Sequence, residues 1–545
     1  MHSIEVVLAM LLAVVASGYL VRVLPFSLPL PLVQIGLGAI IAGVFKKGYA
    51  LEPELFFLLF LPPLLFLDGW RIPKQGLFRD KGAILELALG LVVFTVVGVG
   101  CLIHWMIPTM PLAVAFALAA VVAPTDPTAV SSIASRAPIP RRLMHILEGE
   151  SLLNDASGLV CFQFAVAAAT TGTFSLAAAS LMFLWVALVG VAAGVVVVLG
   201  TSLAQRWIWR QVGEEPGAAI LVNLLLPFAA YLLAESINAS GILAAVAAGI
   251  SMSYVELSGR APGSMRVQRS AVWDMVQFTL KGIMFVLLGE QLPGIVQGAM
   301  HNIDEAGHLN PWWLLGYALA IYIGLLLLRF LWVWLSLRWN LLKARRRGEH
   351  RRSPPWRVVV ATSLAGVRGA ITLAGVLTLP LALPSGAAFP TRDLAIFLAS
   401  TVIVTSLLVA SLALPRLLRG LELPEESSDR LEEDLARRES SRAALAAVEK
   451  LRQRLVQDSE HADLYNEAAN RVSMLYQRHL DHGDAMESDP EEARRLDNVL
   501  RQLRNAGLQA ERQELFKLTR QRKISDEIAR RLIRNLDLLE ARRKS

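Results

Sequence analysis

The stretch Glu148-Gly149-Glu150-Ser151-Leu152-Leu153-Asn154-Asp155-Ala156-Ser157-Gly158 sets carboxylates, an amide and hydroxyls inside an otherwise apolar run. In a helix, Asn154 lies one turn beyond Glu150 and Asp155 one turn beyond Ser151, so two adjacent ridges present oxygen atoms to one cavity. Carboxylates, hydroxyls and amide carbonyls are the ligands that a hard cation such as Na⁺ takes. A second stretch, Ala123-Pro124-Thr125-Asp126-Pro127-Thr128, carries two prolines that remove backbone donors, and Thr125 or Asp126 can cap a half-helix restarting at Pro127. That pattern predicts a broken helix. A third, Ala365-Gly366-Val367-Arg368-Gly369-Ala370, brackets an arginine with two glycines. Close helix packing accounts for such glycines by themselves, but not for the arginine between them.

These residues sit in a chain of 545 residues that is 54% hydrophobic, with a mean hydropathy of +0.49. Such a composition, with repeated apolar runs of about 20 residues containing Gly and Pro, excludes an ordinary soluble enzyme and predicts an all-α polytopic membrane protein. We place about 13 spans, at 4–23, 31–46, 51–69, 82–107, 111–134, 143–171, 177–203, 217–237, 240–257, 270–291, 311–337, 357–382 and 393–416. The first run lacks a basic n-region and a cleavage site, so it reads as a retained helix. Cys101 and Cys161 fall inside spans and imply no disulfide framework.

Basic residues test the spans independently, because they collect in cytoplasmic loops. Arg71, Lys74, Arg79, Lys81, Arg136, Arg141, Arg142, Arg206, Arg210, Arg260, Arg266, Arg269 and the Lys343–Arg357 cluster follow odd-numbered spans; Lys46, Lys47 and Arg392 follow even-numbered ones. The N-terminus is thus expected outside and the C-terminal tail in the cytoplasm. Residues 1–420 form the membrane domain on this reading, and 421–545, rich in Glu, Arg, Lys, Gln and Leu, a separate helical tail. One tail helix starts at Ser525 and sets Ile528, Leu532, Leu536 and Leu539 on one face. A tail that is merely a solvated appendage fits the same composition. The basic pI follows from loops and tail and does not point to nucleic acid.

Depth singles out the ionisable residues that cannot reach an interface. At 1.5 Å per residue, Asp155 lies roughly 18 Å in from Leu143 and Glu150 roughly 10 Å. Asp126 lies about 20 Å from the outer end of its span, and Lys281 and Arg368 each about 16 Å into theirs. Charges at such depth are costly and mark ion pathways or proton relays. Asp68, Glu86, Glu235, Glu256, Glu290 and Arg329 read instead as membrane-edge groups that cap, snorkel or line a vestibule. Interrupted helices at midplane occur in transporters as inverted-repeat pairs, which makes the twelfth span the expected partner of the broken fifth.

Pro62-Pro63-Leu64-Leu65-Phe66, Thr125-Asp126-Pro127, Gly149-Glu150-Ser151-Leu152-Leu153-Asn154-Asp155, Ser240-Gly241-Ile242-Leu243-Ala244 and Val367-Arg368-Gly369-Ala370 together carry a resemblance. The chain resembles bacterial sodium/proton antiporters of the monovalent cation/proton antiporter superfamily, in the branch that includes the eukaryotic sodium/hydrogen exchangers. The resemblance covers residues 1–420. It implies two crossed broken helices, inverted repeats, and a homodimer in the bacterial inner membrane whose core domain swings against a dimerisation domain. It further implies cation coordination by Asp155, Asp126, Thr125, Ser151 and Glu150, with Asn154 orienting the broken helix and Arg368 pairing with Glu150. Transported Na⁺ and H⁺ are then cargo, and no cofactor is expected.

A charge count agrees. Asp126, Glu150 and Asp155 oppose Arg368 and Lys281, leaving one carboxylate to be neutralised by a proton or by Na⁺. Competition for that carboxylate, most simply Asp155, is an exchange mechanism. Lys281 departs from the family pattern, and three roles are open to it: pairing with Asp126 or Asp155, losing its own proton during transport, or snorkelling. A cation channel gated by the tail is the alternative reading. The broken helices and the lack of a repeated filter favour antiport. No metal motif, nucleophile elbow or nucleotide loop supports an enzyme. Preference among Na⁺, K⁺ and Li⁺ rests on cavity dimensions that spacing does not give.

Overall fold

A computed structural model describes residues 2–23, 28–45, 53–72, 81–126, 141–171, 176–213, 215–257, 263–305, 312–346, 355–383 and 386–419, and in the tail 442–454, 463, 465–474 and 477. The chain divides into two units, Met1–Leu421 and Glu422–Ser545. The restart at Pro127 and Thr128, the loop residues Lys46, Lys47, Lys74, Arg79, Arg136 and Arg260, and the helix expected from Ser525 lie outside the described residues.

Among its described residues the first unit is almost all helical, with one isolated bridge between Ala382 and Ala388. Its elements are α1 (His2–Val23), α2 (Leu30–Phe45), α3 (Pro53–Arg71), α4 (Lys81–Leu85), a π-helical turn (Glu86–Leu91), α5 (Val92–Met106), α6 (Leu112–Val122), α7 (Arg141–Thr171), α8 (Leu176–Val212), α9 (Pro216–Ser236), α10 (Gly241–Leu257), α11 (Gly263–Glu305), α12 (Trp312–Arg346), α13 (Trp356–Leu364), α14 (Ala370–Leu377) and α15 (Arg392–Leu418). Among the described residues, eight helices are long and apolar enough to cross a membrane, and three shorter ones are apolar too. The protein is a multi-pass membrane protein. Several helices outrun the apolar runs: α11 has 43 residues where the hydropathy predicts 270–291, and α12 has 35 where it predicts 311–337. Both helices continue past the apolar runs, α11 through Pro293.

Two expected spans are interrupted. The fifth stops being helical after Val122, and the twelfth is split into α13 and α14 around Ala365–Gly369. Glycine seams join the helices that surround them. A Cβ on Gly38 of α2 would overlap the Val286 carbonyl of α11, and one on Gly289 the Ile35 carbonyl in return. Gly69 and Gly249 make the same reciprocal approach between α3 and α10, and Gly194 brings α8 against Ala244 of α10. Small residues let helix backbones touch where lipid offers no hydrophobic drive, so these contacts fix a scaffold. Helices α6, α14 and α15 lie inside, whereas α1, α8, α9 and α12 expose Leu12, Trp185, Leu225 and Leu327 along apolar faces suited to lipid.

In the second unit, residues 442–454 and 465–474 are helical. Glu449 and Arg452 pair at 2.5 Å, and Arg452 also donates to Asn466 at 2.7 Å. The arginine's hydrogen bonds hold the exposed Glu449 carboxyl below the usual range. Exposed pairs of this kind add little to stability.

Candidate cation site

Helix α7 carries the site, and glycines let its neighbours close on it. A side chain at Gly149 would strike Ile84 of α4, and one at Gly158 would strike Pro124 beside the first break. Ser157 donates to the Ala88 carbonyl in the π-helical turn at 2.7 Å, with the Asn154 carbonyl at 3.0 Å as its intrahelical alternative. A π turn widens a helix locally and is common at functional sites. Here it sits directly against the oxygen-bearing segment of α7.

The two breaks meet. The Asp126 N–H donates to the Val367 carbonyl at 2.8 Å, so extended backbone from one interrupted helix is hydrogen-bonded to extended backbone from the other. Gly369 is packed so tightly on the Asp126 side chain that a Cβ there would overlap its carboxyl. Glycine is thus required by space at Gly369 and not by its dihedrals.

A polar relay runs from this crossing into α7. Asn154 Nδ2 donates to Thr125 Oγ1 at 3.1 Å, and the Thr125 hydroxyl donates to Glu150 Oε1 at 3.3 Å. Glu150 ends the relay in a bidentate ion pair, taking Arg329 Nη1 at 2.5 Å and Nη2 at 2.8 Å. Arg329 Nε also points to the Thr362 carbonyl at 3.3 Å, tying α12 to both α7 and α13. Thr125, Glu150, Ser151, Asn154, Asp155, Arg329 and Arg368 are all buried. Among the described residues, the buried Asn154 Oδ1 atom accepts no hydrogen bond.

Three expectations change. Glu150 was expected to pair with Arg368, but Arg329 holds it. Arg368 instead lets its backbone N–H donate to Ser406 Oγ at 3.1 Å and turns its guanidinium to the Gly366 carbonyl of its own break. Arg329 was read as a membrane-edge charge, yet it is 3% exposed. It lies midway along α12, and the error came from ending that helix at the apolar run. Counting from Trp312 to Arg346 would have revealed its depth. Glu290, also read as an edge group, is buried on α11.

Asp68 is half-buried on α3. Asp155 lies within electrostatic reach of Asp126, Asp68, Lys281 and Glu150, and Asp68 within reach of Lys281, Asp126 and Arg71. No spacing rule would have found it, since α3 is far from α7 in sequence and meets it only through packing. Glu150 and Arg329 cancel each other, Lys281 is the cation near Asp68 and Asp155, and the charged neighbours of Arg368 are Arg329 and Glu150.

Comparison with known proteins decides the lineage. The profile described as "Sodium/hydrogen exchanger, transmembrane" matches residues 9–420. The chain belongs to the sodium/hydrogen exchanger family. An uncharacterized Na(+)/H(+) exchanger, YjcE, of Escherichia coli (strain K12) is 43% identical over 98% of both chains. A sodium, potassium, lithium and rubidium/H(+) antiporter of Bacillus subtilis (strain 168) is 42% identical over 75% of this chain and 60% of its own length. The sodium proton antiporter MjNhaP1 of Methanocaldococcus jannaschii shares the fold, with a TM-score of 0.57, 17% identity and coverage of 77% of this chain and 99% of that one. The chain is therefore a member of the monovalent cation/proton antiporter superfamily, a transporter and not an enzyme, and its activity is cation/proton antiport.

Proposed function

We propose that the protein exchanges Na⁺ for H⁺ by alternating access, with both ions competing for Asp155. The observation that carries this reading is the division of labour between two acids of α7. Glu150 has both oxygens engaged by Arg329 and one also by Thr125, whereas Asp155, buried one turn away, lies among like charges with Asp126 and Asp68. A carboxylate so placed is held only with a neutralising partner, and Na⁺ and a proton are alternatives. Asp126, Thr125, Ser151 and the Asn154 Oδ1 atom supply further oxygens of the kind Na⁺ takes. Glu150 then acts as the structural acid that holds Thr125 and, through it, Asn154.

Exchange without leak requires that the loaded site face one side at a time. The two interrupted helices and α7 form the moving core on this reading, swinging against the glycine-seamed scaffold in a homodimer of the bacterial inner membrane, with the N-terminus outside. The B. subtilis relative's printed name covers sodium, potassium, lithium and rubidium, so Li⁺ and K⁺ are to be assayed beside Na⁺. The test is collapse of a preset pH gradient in everted vesicles or proteoliposomes on adding each cation. Rapid collapse by Na⁺ is expected in the wild type, and none in Asp155→Asn present at equal amount in the membrane. Retained exchange in that variant removes Asp155 as the carrier, and conductive flux without proton movement overturns antiport in favour of a channel.

A further inference from the structure

The π-helical turn Glu86–Leu91 is held between the two helices that carry the buried Glu150–Arg329 pair. On its α7 side, Ser157 Oγ donates to the Ala88 carbonyl at 2.7 Å, and Gly149 is packed on Ile84 near the end of α4. On its α12 side, a Cβ at Gly90 would overlap the Trp332 ring, whose centroid also lies 5.2 Å from that of Phe94. Trp332 stands one turn beyond Arg329 on α12, and Ser157 one turn beyond Asn154 on α7. Helices α7 and α12 are thereby joined twice, directly through the ion pair and again through the π turn. Ser157 is buried and stands two residues from Asp155.

A serine hydroxyl has one proton to give. Ser157 has two carbonyls in range, that of Ala88 at 2.7 Å and that of Asn154, in its own helix, at 3.0 Å. Given to Ala88, the proton ties α7 to the π turn. Given to Asn154, it makes a bond back into the turn that carries Asn154 and Asp155, and such bonds bend helices. We propose that Ser157 is a positioning residue for cation selectivity: its hydroxyl, anchored on Ala88 of the π turn, fixes the stretch of α7 that bears Asn154 and Asp155, and so sets how closely their oxygens fit the transported monovalent cation. A proton needs one oxygen of Asp155 and no such fit. A metal cation needs several oxygens at once, at distances that its size prescribes. Trp332, seated on Gly90, backs the anchor from the other side. The proposal rests on the reading of Asp155 and its neighbours as the cation site.

The experiment measures initial rates of cation-driven proton movement in proteoliposomes against the concentration of Na⁺, Li⁺ or K⁺, for wild type, Ser157→Ala, Ser157→Thr, Gly90→Ala and the Ser157→Ala/Gly90→Ala pair, each at equal amount in the membrane. Ser157→Ala is expected to raise KM for the best-transported cation by about fivefold, the worth of one neutral hydrogen bond, while kcat stays near wild type, and to narrow the spread of KM values among the three. Ser157→Thr, which keeps the hydroxyl, restores both. Gly90→Ala, which drives a methyl into the Trp332 ring, displaces the same turn and raises KM in the same way, and the pair is no worse than the more affected single variant. Unchanged KM values in Ser157→Ala overturn the proposal, as does a loss of kcat alone, which is what a serine needed only for stability would give. A threonine no better than alanine overturns it too. Strictly additive effects in the pair would put Ser157 and Gly90 on separate paths and remove the π turn as the anchor. Absence of Na⁺-driven exchange in the wild type, or its retention in Asp155→Asn, would instead sink the underlying reading of the site.

Discussion

At the scale of single residues, the ion pair between Glu150 and Arg329 explains why one site carries two acids on adjacent turns. Both members are buried, and the bidentate geometry satisfies the carboxylate almost fully. Removing one partner strands the other charge, which typically costs about 3–5 kcal/mol. Arg329→Ala is therefore expected to lower the thermal midpoint of the detergent-solubilised protein markedly. Adding Glu150→Gln to it recovers part of that loss, because no unpaired charge is then left behind. A midpoint unchanged by Arg329→Ala would show that the pair is not holding α7, α12 and α13 together. Glu150, Asn154 and Asp155 were legible in the sequence because they are chemically out of place in an apolar helix. Arg329 was misread because its helix was ended at the apolar run, which placed the residue near an edge it does not occupy.

At the scale of elements, prolines and glycines forecast both interruptions, but only contact between them assembles the candidate site. The Asp126 N–H to Val367 carbonyl bond and the seat of Asp126 on Gly369 fix the crossing. Gly369→Ala would force the Asp126 carboxyl away, and misplacement of about 1 Å can cost about a hundredfold in rate. We expect exchange to fall by about that factor with the protein still inserted. Gly36→Ala, where nothing lies within 4 Å, serves as the matched control and should leave transport intact. Equal loss in both variants would mean that the α2 position senses the site too, against the packing described here. The π-helical turn escaped sequence reading because its residues, Glu86–Leu91, follow an ordinary helical pattern.

At the scale of the whole molecule, the membrane unit and the tail are separate compact units. A chain ending at Leu421 is expected to insert and to retain Na⁺-driven exchange in the same vesicle assay. Loss of exchange in properly inserted truncated protein would assign the tail a part in transport beyond that of an appendage. The sequence by itself determined the membrane class, the two interrupted helices and the oxygen-rich turn of α7, because these follow from composition, from proline and glycine chemistry and from the period of a helix. Only the tertiary structure decided which arginine holds Glu150 and that the two interruptions meet through Asp126 and Val367. Charge pairing at close range depends on which helices touch and at which rotation, and the glycine seams that set both act between segments far apart in the chain.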